Sequence, residues 1–284
     1  MKKIRIVGVP EHFNLPWHMA LEEGAFENRG IDIRWTDIPE GTGRMCQMLQ
    51  HDETDLAIVL TEGIVNNIAL EGGSKIVQEY VSSPLLWAIH VASVSNRTSV
   101  SQLEKDPIAI SRMGSGSHLM AYVHAQDQKW NTEILQFDII NNLQGAVESL
   151  SSGSGAYFLW EYFTTKPLVE QGIFKRLGHY ATPWPCFVIA ANESFLVSQP
   201  GVVRHVLEVI NRYTSEFKHI PSIDRTLANR YGQRLEDIQD WLSKTNWGNS
   251  QISSDVLNRV QDRLLSLDLI KNIKPEDTFL YNLV

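Results

Sequence analysis

The sequence of 284 residues is poor in the features on which several classes of protein depend. It has two cysteines, Cys46 and Cys186, and their spacing fits neither a metal site nor a disulfide framework. We therefore expect two packing thiols in a reducing compartment. No apolar run reaches the roughly 18 residues that a membrane-spanning helix requires, so the sequence predicts no membrane insertion.

Concentrated positive charge and catalytic motifs are also lacking. The formal net charge is −8 and the basic residues are scattered along the chain, which argues against a nucleic-acid partner. The sequence has no G-x-S-x-G elbow, no Walker loop, no H-E-x-x-H and no C-x-x-C. We accordingly assign no catalytic residue, no metal site and no cofactor, and the sequence favours binding over catalysis.

The N-terminus has only part of a secretion signal. It reads M-K-K-I-R-I-V-G-V-P, in which Arg5 interrupts the apolar stretch and no small-residue cleavage site follows. We therefore expect a cytoplasmic protein. With 43% hydrophobic and 20% charged residues the chain has the composition of a soluble globular protein, and its length is sufficient for two domains.

The chain does contain two sets of apolar, β-branched runs that alternate with helical patterns. The first set comprises Ile4–Val9, Ile31–Ile38 and Leu56–Leu60. The second set comprises Ile108–Ser111, Gln136–Ile140 and Ala156–Leu159. This order predicts an α/β fold with two parallel units, in which ligands bind at the carboxyl ends of the strands.

Two further apolar segments, Leu85–Val94 and Cys186–Ala191, are predicted to be strands that cross between the units and form a hinge. After Asn192, apolar residues recur at three- and four-residue spacing, which predicts helices that pack back onto the first lobe. The predicted division assigns residues 1–92 and 190–284 to lobe one. It assigns residues 93–189 to lobe two.

The segment that says most about function runs P-I-A-I-S-R-M-G-S-G-S-H and ends at His118. A short strand leads into a Gly/Ser loop and then into a helix, so that backbone N–H groups, serine hydroxyls and the positive end of a helix dipole face one point. The predicted anion pocket consists of Arg112, Gly114, Ser115, Gly116, Ser117 and His118. A tight turn with an N-cap is the alternative interpretation.

The other candidate ligand contacts follow the remaining strands. In the first unit they are His12, Phe13, Asn14, Glu40, Gly41, Thr42, Thr61 and Glu62. The second unit and the crossings supply Ser83, Asn141, Asn142, Trp160 and Trp184. The tryptophans could stack on a flat heteroaromatic ligand and the asparagines could offer amide groups. Helix capping and core packing are the alternatives for this set.

Three segments carry a family resemblance. The stretch A-L-E-E-G-A-F-E-N-R-G-I-D-I, Ala20–Ile33, resembles the signature after the first strand in the binding proteins for thiamine precursors, alkyl sulfonates and nitrate. The T-D-L-A-I segment at Thr54–Ile58 is similar to the G-x-x-D-x-A strand entry of that family, with His51 where glycine is usual. The Gly114–His118 loop resembles its second-lobe anchor. These are type 2 periplasmic binding proteins.

The resemblance implies a two-lobed type 2 periplasmic-binding-protein fold, with mixed sheets flanked by helices and a two-strand hinge. It implies binding of a small anionic or heteroaromatic solute in the interlobe cleft by hinge closure, without chemistry. Because no export signal is apparent, an ABC permease partner is possible but not supported, and the chain looks most similar to signal-less cytosolic members of unassigned ligand. The alternative is a cytosolic enzyme of the same fold, of the thiamine-precursor or menaquinone-route type.

Overall fold

The computed structural model describes residues 3–153 and 156–283. The chain divides into two compact units, of which the first contains Met1–Ser83 and Trp184–Val284 and the second contains Pro84–Pro183. The described residues form ten strands: β1 (Lys3–Gly8), β2 (Asp32–Asp37), β3 (Leu56–Leu60), β4 (Ser74–Val81), β5 (Leu86–Ala92), β6 (Ile108–Ile110), β7 (Phe137–Ile139), β8 (Tyr157–Glu161), β9 (Phe174–Ala181) and β10 (Phe187–Asn192).

Eleven α-helices lie in the same described ranges. They are α1 (Leu15–Glu22), α2 (Thr42–Gln50), α3 (Thr61–Leu70), α4 (Gly116–Asp127), α5 (Leu143–Ser151), α6 (Lys166–Glu170), α7 (Glu193–Ser198), α8 (Pro200–Glu216), α9 (Ile223–Tyr231), α10 (Leu235–Lys244) and α11 (Ser254–Ser266). In the first unit α8 packs on α1 and α11 packs on α3. The C-terminal helices therefore lie against the first unit, as their apolar spacing predicts.

Each unit has one five-stranded mixed sheet. In the first unit the order is β2-β1-β3-β10-β4, with β1 parallel to β2 and β3, and β10 antiparallel to β3 and β4. In the second unit the order is β7-β6-β8-β5-β9, with β6 parallel to β7 and β8, and β5 antiparallel to β8 and β9. The two sheets have the same topology, in agreement with the two similar sets of strands in the sequence.

Each sheet has its own apolar core. All five residues of β3 are buried, and the largest fully buried side chains of the first unit include Trp17, Tyr80 and Trp241. In the second unit Phe158 and Phe174 belong to a cluster of buried apolar side chains. A strand buried on both faces reads as a continuous apolar run, which is why β3 is readable from the sequence.

The structure places the boundaries between the units at 83/84 and 183/184, not at 92/93 and 189/190. Residues 86–92 form β5, which pairs with β8 and β9 and so belongs to the second sheet. Residues 187–192 form β10, which pairs with β3 and β4 in the first sheet. Each predicted crossing strand is therefore the fourth strand of one sheet, and the chain passes between the units just before it.

Hydrogen bonds fix the chain on either side of these passages. In the first unit the Cys186 N–H donates to the Ser83 carbonyl at 3.2 Å. In the second unit the Leu85 N–H donates to the Thr182 hydroxyl at 2.9 Å, and the Thr182 N–H donates to the Leu85 carbonyl at 3.0 Å. Within each unit, hydrogen bonds therefore join the segment that leaves the unit to the segment that returns to it.

Candidate functional site

The segment after β1 supplies three predicted ligand contacts, and all three are buried in the first unit. The His12 ring lies 4.3 Å from Trp241 and 5.0 Å from Phe13, measured between ring centroids. Burial lowers the pKa of His12 to about 3, so this imidazole is neutral at physiological pH. The Asn14 amide donates to the Val9 carbonyl at 2.8 Å. These contacts are those of a packed loop, the alternative interpretation of the sequence.

The turn after β2 brings α2 against the start of α3. The Thr42 hydroxyl accepts the N–H of Leu60 at 3.0 Å. Its methyl group lies so close to Gly63 that a Cβ at that glycine would stand 2.5 Å from it. Glu40 is exposed, and Gly41 has a φ of +80°, which favours glycine. Thr42 thus positions the N-terminus of α3.

At that N-terminus the structure joins two predicted site residues, Glu62 and Trp184. The Trp184 indole N–H donates to Glu62 Oε2 at 2.8 Å, and both side chains are buried. No described residue offers a partner to Glu62 Oε1. Burial raises the pKa of the Glu62 carboxyl to about 7, although the indole hydrogen bond opposes the shift. This carboxyl can therefore accept or donate a hydrogen bond near neutral pH.

Thr61 and Ser83 lie nearby in the same unit and have structural partners. The Thr61 hydroxyl donates to the Pro185 carbonyl at 2.5 Å, and its N–H donates to the Cys186 carbonyl at 3.0 Å. The Ser83 hydroxyl accepts the N–H of Asn246 at 3.1 Å. These bonds fix the chain around the Glu62–Trp184 pair.

In the second unit the predicted anion loop forms between β6 and α4. Ser117 Oγ accepts the Ser111 N–H at 3.0 Å and lies 3.1 Å from Ser115 Oγ. Ser115 is the N-cap of α4, because its Oγ accepts the His118 N–H at 3.3 Å. Both hydroxyls are buried and bonded within the loop. They brace it, which is the turn-and-cap alternative, and do not by themselves form an anion pocket.

The backbone of the same loop keeps the anion-binding geometry. Gly116 and Ser117 occupy the first turn of α4, where N–H groups have no acceptor within their own helix. The Gly114 N–H, in contrast, donates to His118 Nδ1 at 3.0 Å. Burial lowers the pKa of His118 to about 4, so the helix N-terminus carries a neutral imidazole. Any anion held here would interact with the backbone of Gly116 and Ser117.

The remaining predicted residues of the second unit fall into two groups. Asn141 is exposed with a φ of +65°, and Arg112 is half-buried at the start of the loop. Asn142 caps α5, since its Oδ1 accepts the Gly145 N–H at 3.0 Å. The Trp160 ring stacks on Phe158 at 5.2 Å between centroids and packs against the core. Asn142 and Trp160 thus have local structural roles.

One charged residue that the sequence analysis does not single out is Arg176. It lies in β9, a strand whose mixed polar and apolar residues give no clear period.

Among residues 3–153 and 156–283 no group of three or more histidines, cysteines and carboxylates is arranged to hold a metal ion. No helix in these ranges is both long and apolar enough to cross a bilayer.

Similarity to known proteins bears on the fold of the whole chain. A Candida albicans protein, the CA3427 gene product, defines a family with the generic periplasmic binding protein fold. It is 25% identical to this chain, with a TM-score of 0.88 over 98% of this chain and 93% of that one. The sequence profile of the family described as Ca3427-like PBP matches residues 87–180. The chain therefore has the generic periplasmic binding protein fold.

Two sulfonate-binding proteins share the fold of this periplasmic-binding-protein-like chain. The alkanesulfonate-binding protein SsuA from Xanthomonas axonopodis pv. citri, bound to MOPS, is 16% identical with a TM-score of 0.79, and the match covers 94% of each chain. The aliphatic sulphonate binding protein SsuA from Escherichia coli is 15% identical with a TM-score of 0.72, over 96% of this chain and 94% of that one. The sequence matches no curated protein.

The fold predicted from the sequence is therefore confirmed for this periplasmic-binding-protein-like chain. The profile match lies wholly within the second unit, which includes the α4 loop and Arg176. The motif positions of the first unit, Ala20–Ile33 and Thr54–Ile58, lie outside that match. The choice of ligand residues in both units stays a prediction.

Proposed function

We propose that this protein binds a small anionic solute reversibly and releases it unchanged. The observation that carries the proposal is the likeness of nearly the whole chain to proteins of known solute, among them an alkanesulfonate-binding protein bound to MOPS. A sulfonate is an anion, and the second unit presents a helix N-terminus in a loop that its own serines hold rigid.

The anionic class has more support than the heteroaromatic class. Stacking requires aromatic faces that are free, whereas the Trp160 ring is already stacked on Phe158 and Trp184 is buried with its N–H bonded to Glu62. The first turn of α4, in contrast, has N–H groups that its own helix cannot satisfy. We therefore assign the α4 N-terminus as the anion contact.

The first unit would contribute Glu62. A neutral Glu62 can donate a hydrogen bond through Oε1 to a ligand oxygen, whereas an ionised Glu62 would repel an anion. Because burial raises its pKa to about 7, both forms are populated near neutral pH. The proposal includes capture by closure of the two units, which scattering would detect as a fall in the radius of gyration when solute is added.

A matched pair of variants tests the anion contact. Asp and Asn cap helices about as well as Ser, so Ser115→Asp and Ser115→Asn should fold alike. Only Asp adds a negative charge at the α4 N-terminus. Alkanesulfonate affinity, measured by calorimetry on the full chain, should fall at least about tenfold in Ser115→Asp and change little in Ser115→Asn. Equal affinities in the two variants would remove this loop from the site.

The fate of the solute separates binding from catalysis. Native mass spectrometry of freshly purified protein identifies any retained molecule. That molecule is then incubated for a long period with substoichiometric protein and recovered by chromatography. A binding protein returns it unchanged. Recovery of a different compound, with conversion lost in Glu62→Gln, would instead support the alternative of an enzyme with the same fold.

We also propose that the protein acts in the cytoplasm, without an ABC permease. Cys46 and Cys186 are buried, and their spacing gives no sign of a disulfide framework, which accords with a reducing compartment. Cell fractionation with mass determination of the N-terminus tests the location. An exported, processed form would restore the transport role.

A further inference from the structure

Arg176 in the second unit presents a hydrogen-bonding edge that the protein does not use. Its Nε and Nη2 are enclosed, and no described residue accepts a hydrogen bond from either. The guanidinium carbon lies 3.7 Å from the centre of the Tyr162 ring, so the cation is stacked on an aromatic face. A guanidinium cannot lose its charge at physiological pH, which makes two unpaired donors costly here.

The same edge of arginine binds carboxylates elsewhere in this chain. Arg5 donates from Nε and Nη2 to the two oxygens of Asp55 at 3.3 and 2.7 Å. Arg97 donates from Nε and Nη2 to the two oxygens of Asp106 at 2.8 and 2.5 Å. In both ion pairs the arginine therefore binds one carboxylate through Nε and Nη2. The two parallel N–H groups match two oxygens of one anion.

Two titratable side chains, those of His90 and Glu161, lie near Arg176. His90 faces Arg176 across the β5–β9 pair, and both of its ring nitrogens are buried. Burial, and next the Arg176 charge, lower the pKa of His90 to about 3, so its ring is neutral with one N–H to donate. Glu161 interacts electrostatically with Arg176, and its Oε2 accepts the Thr164 N–H at 2.6 Å.

We propose that the Nε–Nη2 edge of Arg176, stacked on Tyr162 and facing His90, is a second oxyanion site in this protein. Its ligand class is a small oxyanion with two acceptor oxygens on one side: a sulfate, or the sulfonate group of an organic solute. The site is separate from the α4 N-terminus and does not depend on the proposed function. Arg176 as a whole is half-buried, whereas its Nε and Nη2 atoms are enclosed.

Titration of the full chain, labelled with 15N-arginine, tests this site through the Arg176 Nε–H resonance. The resonance is assigned by its loss in Arg176→Lys. Sodium sulfate should shift it saturably, whereas sodium chloride at the same ionic strength should not. Ethanesulfonate and its uncharged analogue ethyl methyl sulfone form a second matched pair, in which only the sulfonate should shift the resonance. Saturation by sulfate indicates a free oxyanion, and saturation by ethanesulfonate alone indicates the head group of a solute.

Variants test whether oxyanion binding takes place at Arg176. Arg176→Lys keeps the charge but lacks the fork, so sulfate affinity measured by calorimetry should fall about tenfold, while Arg259→Lys, at an exposed arginine, should leave it unchanged. Tyr162→Leu removes the aromatic face and should weaken binding about threefold. Ser115→Asp should leave the Arg176 shift intact. Absence of a saturable shift in the wild type, or its loss in Ser115→Asp, would overturn a separate Arg176 site.

Discussion

Glu62 is a carboxyl group that the fold holds away from water, and its protonation should make stability depend on pH. Because burial raises its folded-state pKa to about 7, the folded state binds this proton more tightly than the unfolded state does. Stability is therefore lost as pH rises from about 4.5 to about 7. Glu62→Gln keeps an acceptor for Trp184 and removes the charge.

We expect Glu62→Gln to raise the free energy of unfolding by about 3 kcal/mol at pH 8, as an order of magnitude, and by little near pH 4. Urea unfolding at the two pH values measures both differences. An equal change at both would mean that the Glu62 proton is not the cause.

At the residue scale, the sequence predicts hydrogen bonds between residues close together in the chain better than hydrogen bonds between residues far apart in it. Ser115 lies three residues from His118, whose N–H it accepts. The turn-and-cap alternative can therefore be predicted from the sequence of the loop alone. Trp184 lies 122 residues from Glu62 along the chain, and only the folded sheet brings the two side chains together. Both residues can be selected from the sequence, but their hydrogen bond cannot.

The N-termini of α2 and α3 pack closely against each other where Thr42 meets Gly63. A Cβ at Gly63 would lie 2.5 Å from the Thr42 methyl group, so Gly63→Ala forces the two helices apart. We expect Gly63→Ala to cost about 1–3 kcal/mol by overpacking. Thr42→Ser removes that methyl group and keeps the hydroxyl that accepts the Leu60 N–H.

The double variant Gly63→Ala/Thr42→Ser should therefore recover most of that loss in thermal or urea unfolding. Gly201→Ala in α8 is the control, because its Cβ would meet no atom within 4 Å. Strict additivity of the Gly63 and Thr42 effects would show that this contact does not limit the helix positions.

Among the elements, two of the four edge strands, β4 and β9, are not among the strands predicted from the sequence, whereas the other two, β2 and β7, are. β4 and β9 are each at the end of a sheet, and β9 reads F-K-R-L-G-H-Y-A, with most residues only partly buried. Such a strand has neither a continuous apolar run nor strict alternation. The strands β3, β5 and β10 lie inside a sheet and are readable for the opposite reason. Arg176 is missed along with the strand that holds it.

For the whole molecule, the apolar run that forms β5 indicates burial but not the sheet to which the strand belongs. All five strands of the second sheet come from residues 84–183, so this unit needs no strand from the rest of the chain. We expect a fragment of residues 84–183 to fold alone, with a cooperative unfolding transition in circular dichroism.

A fragment of residues 93–189, cut at the boundaries predicted from the sequence, is the matched comparison. It has nearly the same length but lacks β5, which lies between β8 and β9 and is the strand to which β9 is hydrogen-bonded. Without β5 the edge strand β9 loses its ladder and Phe158 loses a covering neighbour, so this fragment should show no cooperative transition. If residues 93–189 fold as well as residues 84–183, β5 is not an integral strand of the second unit.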